Sequence, residues 1–146
     1  MSVLVNGTED LPQGLTPAQA YGSLNSTVQK LALMNLHEQV VAFFGLVRDG
    51  ITRGQSAISI ERLCTAVELR IEGDPPSVNP LIAQININGA LQSQQFTVAA
   101  GSNYALVAVN SGGLVIAANN YAAIQITAAN GAGDVVVTLK SQLRIL

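Results

Sequence analysis

From about residue 56 to the end of the chain, apolar and polar residues alternate with a period of two, in short runs separated by Gly, Asn and Ala. Such alternation is typical of half-buried β-strands, and Asn88-Gly89 is a strong signal for a tight hairpin turn. About eight short strands at this spacing predict a mainly antiparallel, jelly-roll-like β-sandwich over residues 56–146. The run "LCTAVELRIEG" places these side chains on one face of a strand: Leu63, Thr65, Val67, Leu69 and Ile71.

Residues 16–50 begin and end with residues that are typical of helix boundaries. Thr16 followed by Pro17 matches an N-cap with a first-turn proline, Arg48 is suited to a last helical turn, and Gly50 can take a left-handed C-terminal cap. We therefore expect a long helix here, and residues 1–15 to form an extended N-terminal arm that is ordered only where something holds it. The predicted fold class is α+β.

The helical segment also contains apolar residues at alternating intervals of three and four, which is the spacing of a short coiled-coil seam. Phe44 and Leu46 flank this seam, and His37, the only histidine of the chain, lies beside it. We interpret His37 as a solvated or interface residue and not as a catalytic base. The segment is predicted to hold subunits together through five seam residues: Leu33, Leu36, Val40, Phe43 and Val47.

Charge is scarce, because only 11% of the residues are Asp, Glu, Lys or Arg and the net charge is −2. Without a Lys/Arg cluster, the chain lacks the electrostatic footprint of a nucleic-acid-binding protein. No apolar run is long enough to span a bilayer, and the first residues do not resemble a signal peptide. Cys64 is the only cysteine, so it cannot form an intrachain disulfide, and we expect it to be a buried thiol.

The sequence offers little for catalysis. Between Asp74 and Asp134 there is no charged residue, histidine or cysteine, whereas acid–base chemistry and zinc binding need such groups. Glu68 and Glu72 share a strand face with Arg70, which we interpret as a solvated charge ladder, and Asp74 alone is too little for a cation site. We expect no cofactor, no metal and no enzymatic activity. Uncharged strand edges instead favour contact with other copies of the chain.

The layout of arm, helical neck and Gly/Asn/Ala-rich β domain resembles structural proteins of tailed-bacteriophage virions, namely trimeric capsid decoration (cement) proteins and small head or tail fibres. The runs that carry the resemblance are "LHEQVVAFFGLV", "ININGALQSQQFTVAAGSNYALVAVNSGG" and "YAAIQITAANGAGDVVVTL". It implies a homotrimer made in the host cytoplasm and seated on the capsid surface, with the major capsid protein or another virion protein as its partner. Within the arm, the candidate capsid-contact residues are Val3, Leu4, Val5 and Leu11.

Two other functions stay open. The first is the receptor- or glycan-binding head of a small phage fibre, although the absence of Trp disfavours a stacking platform for sugars. The second is a bacterial extracellular trimeric β-sandwich that serves as a binding module.

Overall fold

The computed structural model describes residues 36–144, and the fold is reported for that part of the chain. It contains ten β-strands and one short 3-10 turn, Asn110–Gly112. The strands are β1 (Leu36–Leu46), β2 (Thr52–Ser56), β3 (Arg62–Ile71), β4 (Leu81–Ile87), β5 (Ala90–Leu91), β6 (Phe96–Val98), β7 (Tyr104–Ala108), β8 (Leu114–Ile116), β9 (Ala122–Ala128) and β10 (Gly133–Leu143).

The strands form two five-stranded sheets. Sheet A has the order β1-β10-β3-β7, with β8 also paired to β3, and sheet B has the order β2-β9-β4-β5, with β6 also paired to β4. If β5 with β6 and β7 with β8 are each counted as one interrupted strand, eight strands remain. Their orders are then first–eighth–third–sixth and second–seventh–fourth–fifth, which is the nested arrangement of a jelly roll.

The core lies between the two sheets and is built from inward-facing aliphatic side chains with few aromatics. Phe43 of β1 and Phe96 of β6 are its largest apolar members, at 2% and 1% exposed. Sheet A contributes alternating residues of β3 and β10, and sheet B those of β4 and β9, as expected for strands with one buried face. The fully buried aliphatic residues include Val67, Leu69, Leu81, Ile85, Ile124, Ile126, Val137 and Leu139.

The alternation of β3 changes phase at a β-bulge. Ala66 lies opposite Lys140 of β10, but Cys64 lies opposite Ser141, so Thr65 is an extra residue on β3. Downstream of the bulge, Val67 and the alternate residues after it face the core as predicted. Upstream of it, Arg62 and Cys64 are the fully buried residues, so the placement of Leu63 and Thr65 on the face of Val67 is wrong.

The predicted helix is wrong where the structure describes it. Residues 36–46 form β1, which lies beside β10 at the edge of sheet A. The α+β class is therefore corrected to a β-sandwich, with no helix longer than the 3-10 turn in residues 36–144. The physical reason is local and tertiary: Val40-Val41 and Phe43-Phe44 favour the pleated backbone, and β10 supplies a hydrogen-bonding neighbour. The rest of the predicted helix and the arm lie outside the described residues.

The coiled-coil seam is wrong for the same reason. In a strand, even- and odd-numbered residues face opposite sides, so a seam with intervals of three and four is divided between them. Leu36 and Val40 are 54% and 61% exposed, whereas Phe43 and Val47 are buried in the core of their own subunit. Leu33 lies outside the described residues, as do the arm residues Val3, Leu4, Val5 and Leu11.

Candidate interaction surface

Most charged side chains in the described part of the chain form hydrogen bonds with the rest of the fold or ion pairs with each other. Asp134 Oδ1 accepts a hydrogen bond from the Gly45 N–H at 2.7 Å, and Asp49 Oδ1 accepts one from the Ala129 N–H at 2.8 Å. Within residues 36–144, no three His, Cys, Asp or Glu side chains come together in a group that could hold a metal ion. Among residues 36–144, ion pairs join Glu38 to Lys140, Arg70 to Glu72 and Glu61 to Arg144, at 2.8, 2.8 and 3.2 Å.

The carboxylates of the predicted charge ladder lie on the outer face of sheet A, and each of them is engaged. Arg70 pairs with Glu72, and Glu68 accepts a hydrogen bond of 2.9 Å from the Tyr104 hydroxyl. That bond raises the pKa of Tyr104, because the carboxylate opposes the formation of a phenolate. The two glutamates are thus held by an arginine and a tyrosine, as in a surface charge network.

An apolar row runs along the outer side of β1. It consists of Leu36, Val40, Phe44 and Leu46, which are 54%, 61%, 83% and 74% exposed. The strand has eleven residues and, among the strands of residues 36–144, pairs with β10 alone, so it forms one edge of the described sheet A. A long edge strand with exposed apolar side chains is a site where another chain can pack. We call these four residues the β1 row.

A second, shorter apolar strip lies at the opposite edge of sheet A. On β7, Tyr104 pairs with Arg70 and Leu106 pairs with Glu68, so both face outward with the charge network. They are 48% and 57% exposed. Between this strip and the β1 row lies Lys140, whose bond to Glu38 raises the pKa of its ammonium group. The outer face of sheet A therefore has apolar edges and a charged centre.

The outer face of sheet B has a different chemistry. Gln84 of β4 lies opposite Gln125 of β9, and Asn86 lies opposite Ala123, so amides and small apolar groups occupy the middle of the sheet. β4 and β9 contain no charged residue. The outer face of sheet A thus carries charged and apolar groups, whereas the central strands of sheet B carry no charge and are rich in amides.

Three shallow grooves accompany these faces. One of about 320 Å³ lies beside Phe44, with Ala42, Val136, Glu72 and Asp134 among its lining residues. A second, of about 290 Å³, is on the outer side of sheet B and is formed by Asn86, Asn88, Gly89, Tyr121 and Ala123. The third, of about 410 Å³, opens between the sheets near β5 and β8, and its lining includes Phe96, Gln94 and Leu114.

No family model and no curated protein matches this chain. Among residues 36–144, no helix has the length and apolar character needed to cross a membrane.

The structure keeps only part of the predicted subunit contact on the surface. Leu36 and Val40 belong to the β1 row, while Phe43 and Val47 do not, since both are buried. The residues that sequence analysis placed on the flanks of the seam, Phe44 and Leu46, are the most exposed members of the row. The β7 strip was missed, although the alternation of "YALVA" carries the signal for it.

Proposed function

We propose that this protein is a non-enzymatic structural protein of a virion, a capsid decoration (cement) protein that assembles as a homotrimer through the β1 edge of sheet A. The observation that carries the proposal is the β1 row, in which Phe44 and Leu46 are 83% and 74% exposed on an edge strand. The trimeric number and the capsid partner come from the resemblance of the sequence to phage virion proteins.

The β1 row supports self-association because every copy presents the same strand. Apolar surface gathered along one strand gains free energy when it leaves water, at roughly 25 cal/mol per Å². Covering it with a neighbouring copy also removes an open strand edge, which is otherwise a site of uncontrolled pairing. Cyclic symmetry lets each subunit offer the row to one neighbour and a different flank to the other, which closes the ring.

A trimer of such sandwiches can stabilise a shell without chemistry. Several weak contacts on one rigid unit raise the apparent affinity for a repetitive surface by about 10²–10⁴ over a single contact. Binding that exists only on the assembled shell stabilises that shell by mass action. Jelly rolls are found in viral capsid domains and in lectins, so the fold is compatible with this role and does not by itself decide it.

The assembly step is tested with a double substitution in the β1 row, Val40→Asp with Phe44→Asp. Both side chains are exposed, so the subunit should fold, and two carboxylates at the row should oppose its burial. Light scattering coupled to size exclusion should give the mass of three chains for the wild type and of one chain for the variant. Leu91→Asp, an exposed apolar position on sheet B, is the matched control and should stay trimeric.

A monomeric wild type, or a trimer that survives the double substitution, would refute the proposed interface. The virion role is tested separately by sedimentation with empty capsids of the phage or prophage that encodes the chain. Wild-type protein should co-sediment with the shell and raise its disruption temperature. A trimer that leaves the shells unbound and unstabilised would refute the decoration role.

A second candidate is the glycan-binding head of a small fibre, which the groove beside Tyr121 favours. Asn86, Asn88 and Tyr121 combine amide groups with an aromatic ring, which is 55% exposed, in a concave site of about 290 Å³. The Asn88 carboxamide already accepts a hydrogen bond from the Tyr121 N–H at 2.8 Å, which fixes the groove. Glycan-array binding that disappears in Tyr121→Ala would favour this role, and no binding to any glycan would reject it.

A further inference from the structure

A polar cluster is buried at one end of the sandwich, where β1 begins and β10 ends. Gln39 of β1 connects the two sheets there, because its Nε2 donates to the carbonyl oxygens of Gly54 and of Ala122, the latter at 2.8 Å. Its Oε1 accepts a hydrogen bond of 3.3 Å from Arg62 Nη2. Arg62 is 0% exposed, so its guanidinium is shielded from solvent.

Several donors of this cluster lack partners. Arg62 Nε and Nη1, Ser141 Oγ and His37 Nε2 are buried without a hydrogen-bond partner of good geometry within residues 36–144, although the Ser141 side chain contacts the Cys64 thiol and lowers its pKa against the larger effect of burial. The β3–β10 register places Ser141 opposite Cys64, two residues from Arg62 on the same inner face. The Glu38–Lys140 ion pair puts these two residues side by side on β1 and β10, so we expect His37, the residue before Glu38, to lie near Ser141, the residue after Lys140. Strand order thus brings the four unpartnered atoms to one end of the sandwich.

The positive charge of Arg62 is not balanced by a carboxylate in residues 36–144. The nearest acidic residues along the strands, Glu38 and Glu61, are both partly exposed and paired, with Lys140 and Arg144. Burial lowers the pKa of Arg62, yet a guanidinium stays protonated in proteins. A buried charge and an unpaired buried donor both cost free energy unless something compensates them.

We propose that this end of the sandwich is a binding site for one small oxyanion, such as a phosphate or carboxylate group. Arg62 supplies the charge and the donors at Nε and Nη1, Ser141 supplies a hydroxyl donor, and His37 Nε2 closes the site near the start of β1. Gln39 holds the guanidinium in place and ties the site to both sheets. A bound anion would pair a charge that the described protein atoms leave unbalanced, and so link anion concentration to stability.

The test is the melting temperature of the full chain in sodium phosphate, sulfate or acetate, each against sodium chloride at equal ionic strength. At about ten times the dissociation constant, the wild type should melt roughly 5 °C higher in the preferred oxyanion than in chloride. Arg62→Met should abolish this difference. Arg144→Met removes the same charge from an exposed pair and should retain the wild-type response, which makes it the matched control.

A direct measurement keeps the proposal testable if Arg62→Met does not fold. The Nε–H resonance of Arg62, assigned by its loss in Arg62→Lys, should shift in wild-type protein and saturate with added oxyanion. Equal melting shifts in wild type and Arg62→Met, an adventitious ion only, would overturn the proposal. So would an Nε–H resonance that does not respond to any oxyanion, because water would then be the partner of Arg62.

Discussion

At the scale of single residues, two adjacent phenylalanines have opposite environments. Phe43 is 2% exposed within the core, and Phe44 is 83% exposed on the outer face of sheet A. Truncating a buried Phe to Ala costs about 3–5 kcal/mol of unfolding free energy, while an exposed site usually changes it by less than about 0.5 kcal/mol. Urea unfolding of Phe43→Ala and Phe44→Ala should show this difference, measured at a protein concentration where both variants are monomeric.

The comparison is sharp because the two variants lose the same atoms. Similar losses of stability in both would mean that β1 does not alternate between core and solvent in the way described. A large loss only in Phe44→Ala would reverse the face assignment of the strand.

Gly54 is the second residue whose identity is dictated by its surroundings. Its φ is +80°, and a Cβ at this position would overlap the side chain of Val41 on the facing β1. Gly54→Ala should therefore lower the unfolding free energy by roughly 1–3 kcal/mol more than a positive-φ glycine with free space around it. Gly50, with φ +82° and no atom within 4 Å, provides that control as Gly50→Ala. Equal losses in both variants would contradict the close approach of β1 and β2.

Cys64 links stability to pH in a defined direction. Burial raises the pKa of its thiol above the ordinary value of 9.0, because the thiolate would lose its hydration inside the core. Well below pH 9.0 the thiol is protonated in folded and unfolded chains alike. Above it the unfolded chain ionises first, so the unfolding free energy falls as pH rises towards the folded-state pKa.

Urea unfolding between pH 7 and pH 10 measures this loss, and Cys64→Ala should remove the part that belongs to the thiol. The unfolding free energies of the two proteins should change in parallel with pH well below pH 9.0. As the pH rises past 9.0, the value for the wild type should fall more steeply than that for Cys64→Ala. An identical alkaline decline in both would mean that Cys64 does not ionise on unfolding in this range, contrary to the prediction.

At the scale of elements, the strands with clear alternation and turn chemistry were predictable. Asn88 and Gly89 both have positive φ, at 51° and 88°, as expected for the tight turn that joins β4 to β5. The region after residue 56 does form β-strands of a sandwich, since period-two patterns report a local property of the chain, but the predicted start at residue 56 left out β1 and β2, which belong to the same two sheets. Cys64 is buried as expected, although the bulge beside it changed which neighbours share its face.

β1 was mispredicted because its apolar spacing fits two interpretations. Intervals of three and four satisfy a heptad, while the same residues divide by parity into exposed Val40 and buried Phe43 in a strand. Pairing between β1 and β10, about ninety residues later in the chain, decides between them, and no local pattern reports such a partner. The buried polar end escaped prediction for a related reason, since the bulge at Thr65 is what turns Arg62 inward.

At the scale of the whole molecule, the two outer faces separate two kinds of contact. On the amide-rich side of sheet B, Gln84 and Ala123 are already buried, at 8% and 2% exposed, so a partner would meet the margin of this side, where Tyr121 is 55% exposed. The outer face of sheet A has a charged centre, which must stay hydrated or be paired with opposite charges on a partner. Its apolar edges are the parts whose burial is favourable in free energy. Assembly through the β1 row would leave the centre hydrated, because only the edge of the sheet needs to enter the contact.

This arrangement predicts that folding and assembly are coupled. A contact formed by folded subunits stabilises the folded state by mass action, so the melting temperature of the wild type should rise with protein concentration. Scanning calorimetry over a hundredfold range of protein concentration measures how steeply the melting temperature rises with concentration. The variant with both Val40→Asp and Phe44→Asp should have no slope, and Leu91→Asp should keep it. A wild-type melting temperature that does not depend on concentration, together with the mass of a single chain, would mean that the β1 row is not a contact between copies. In that case a protein other than a second copy of this chain would be the partner that covers the exposed side chain of Phe44.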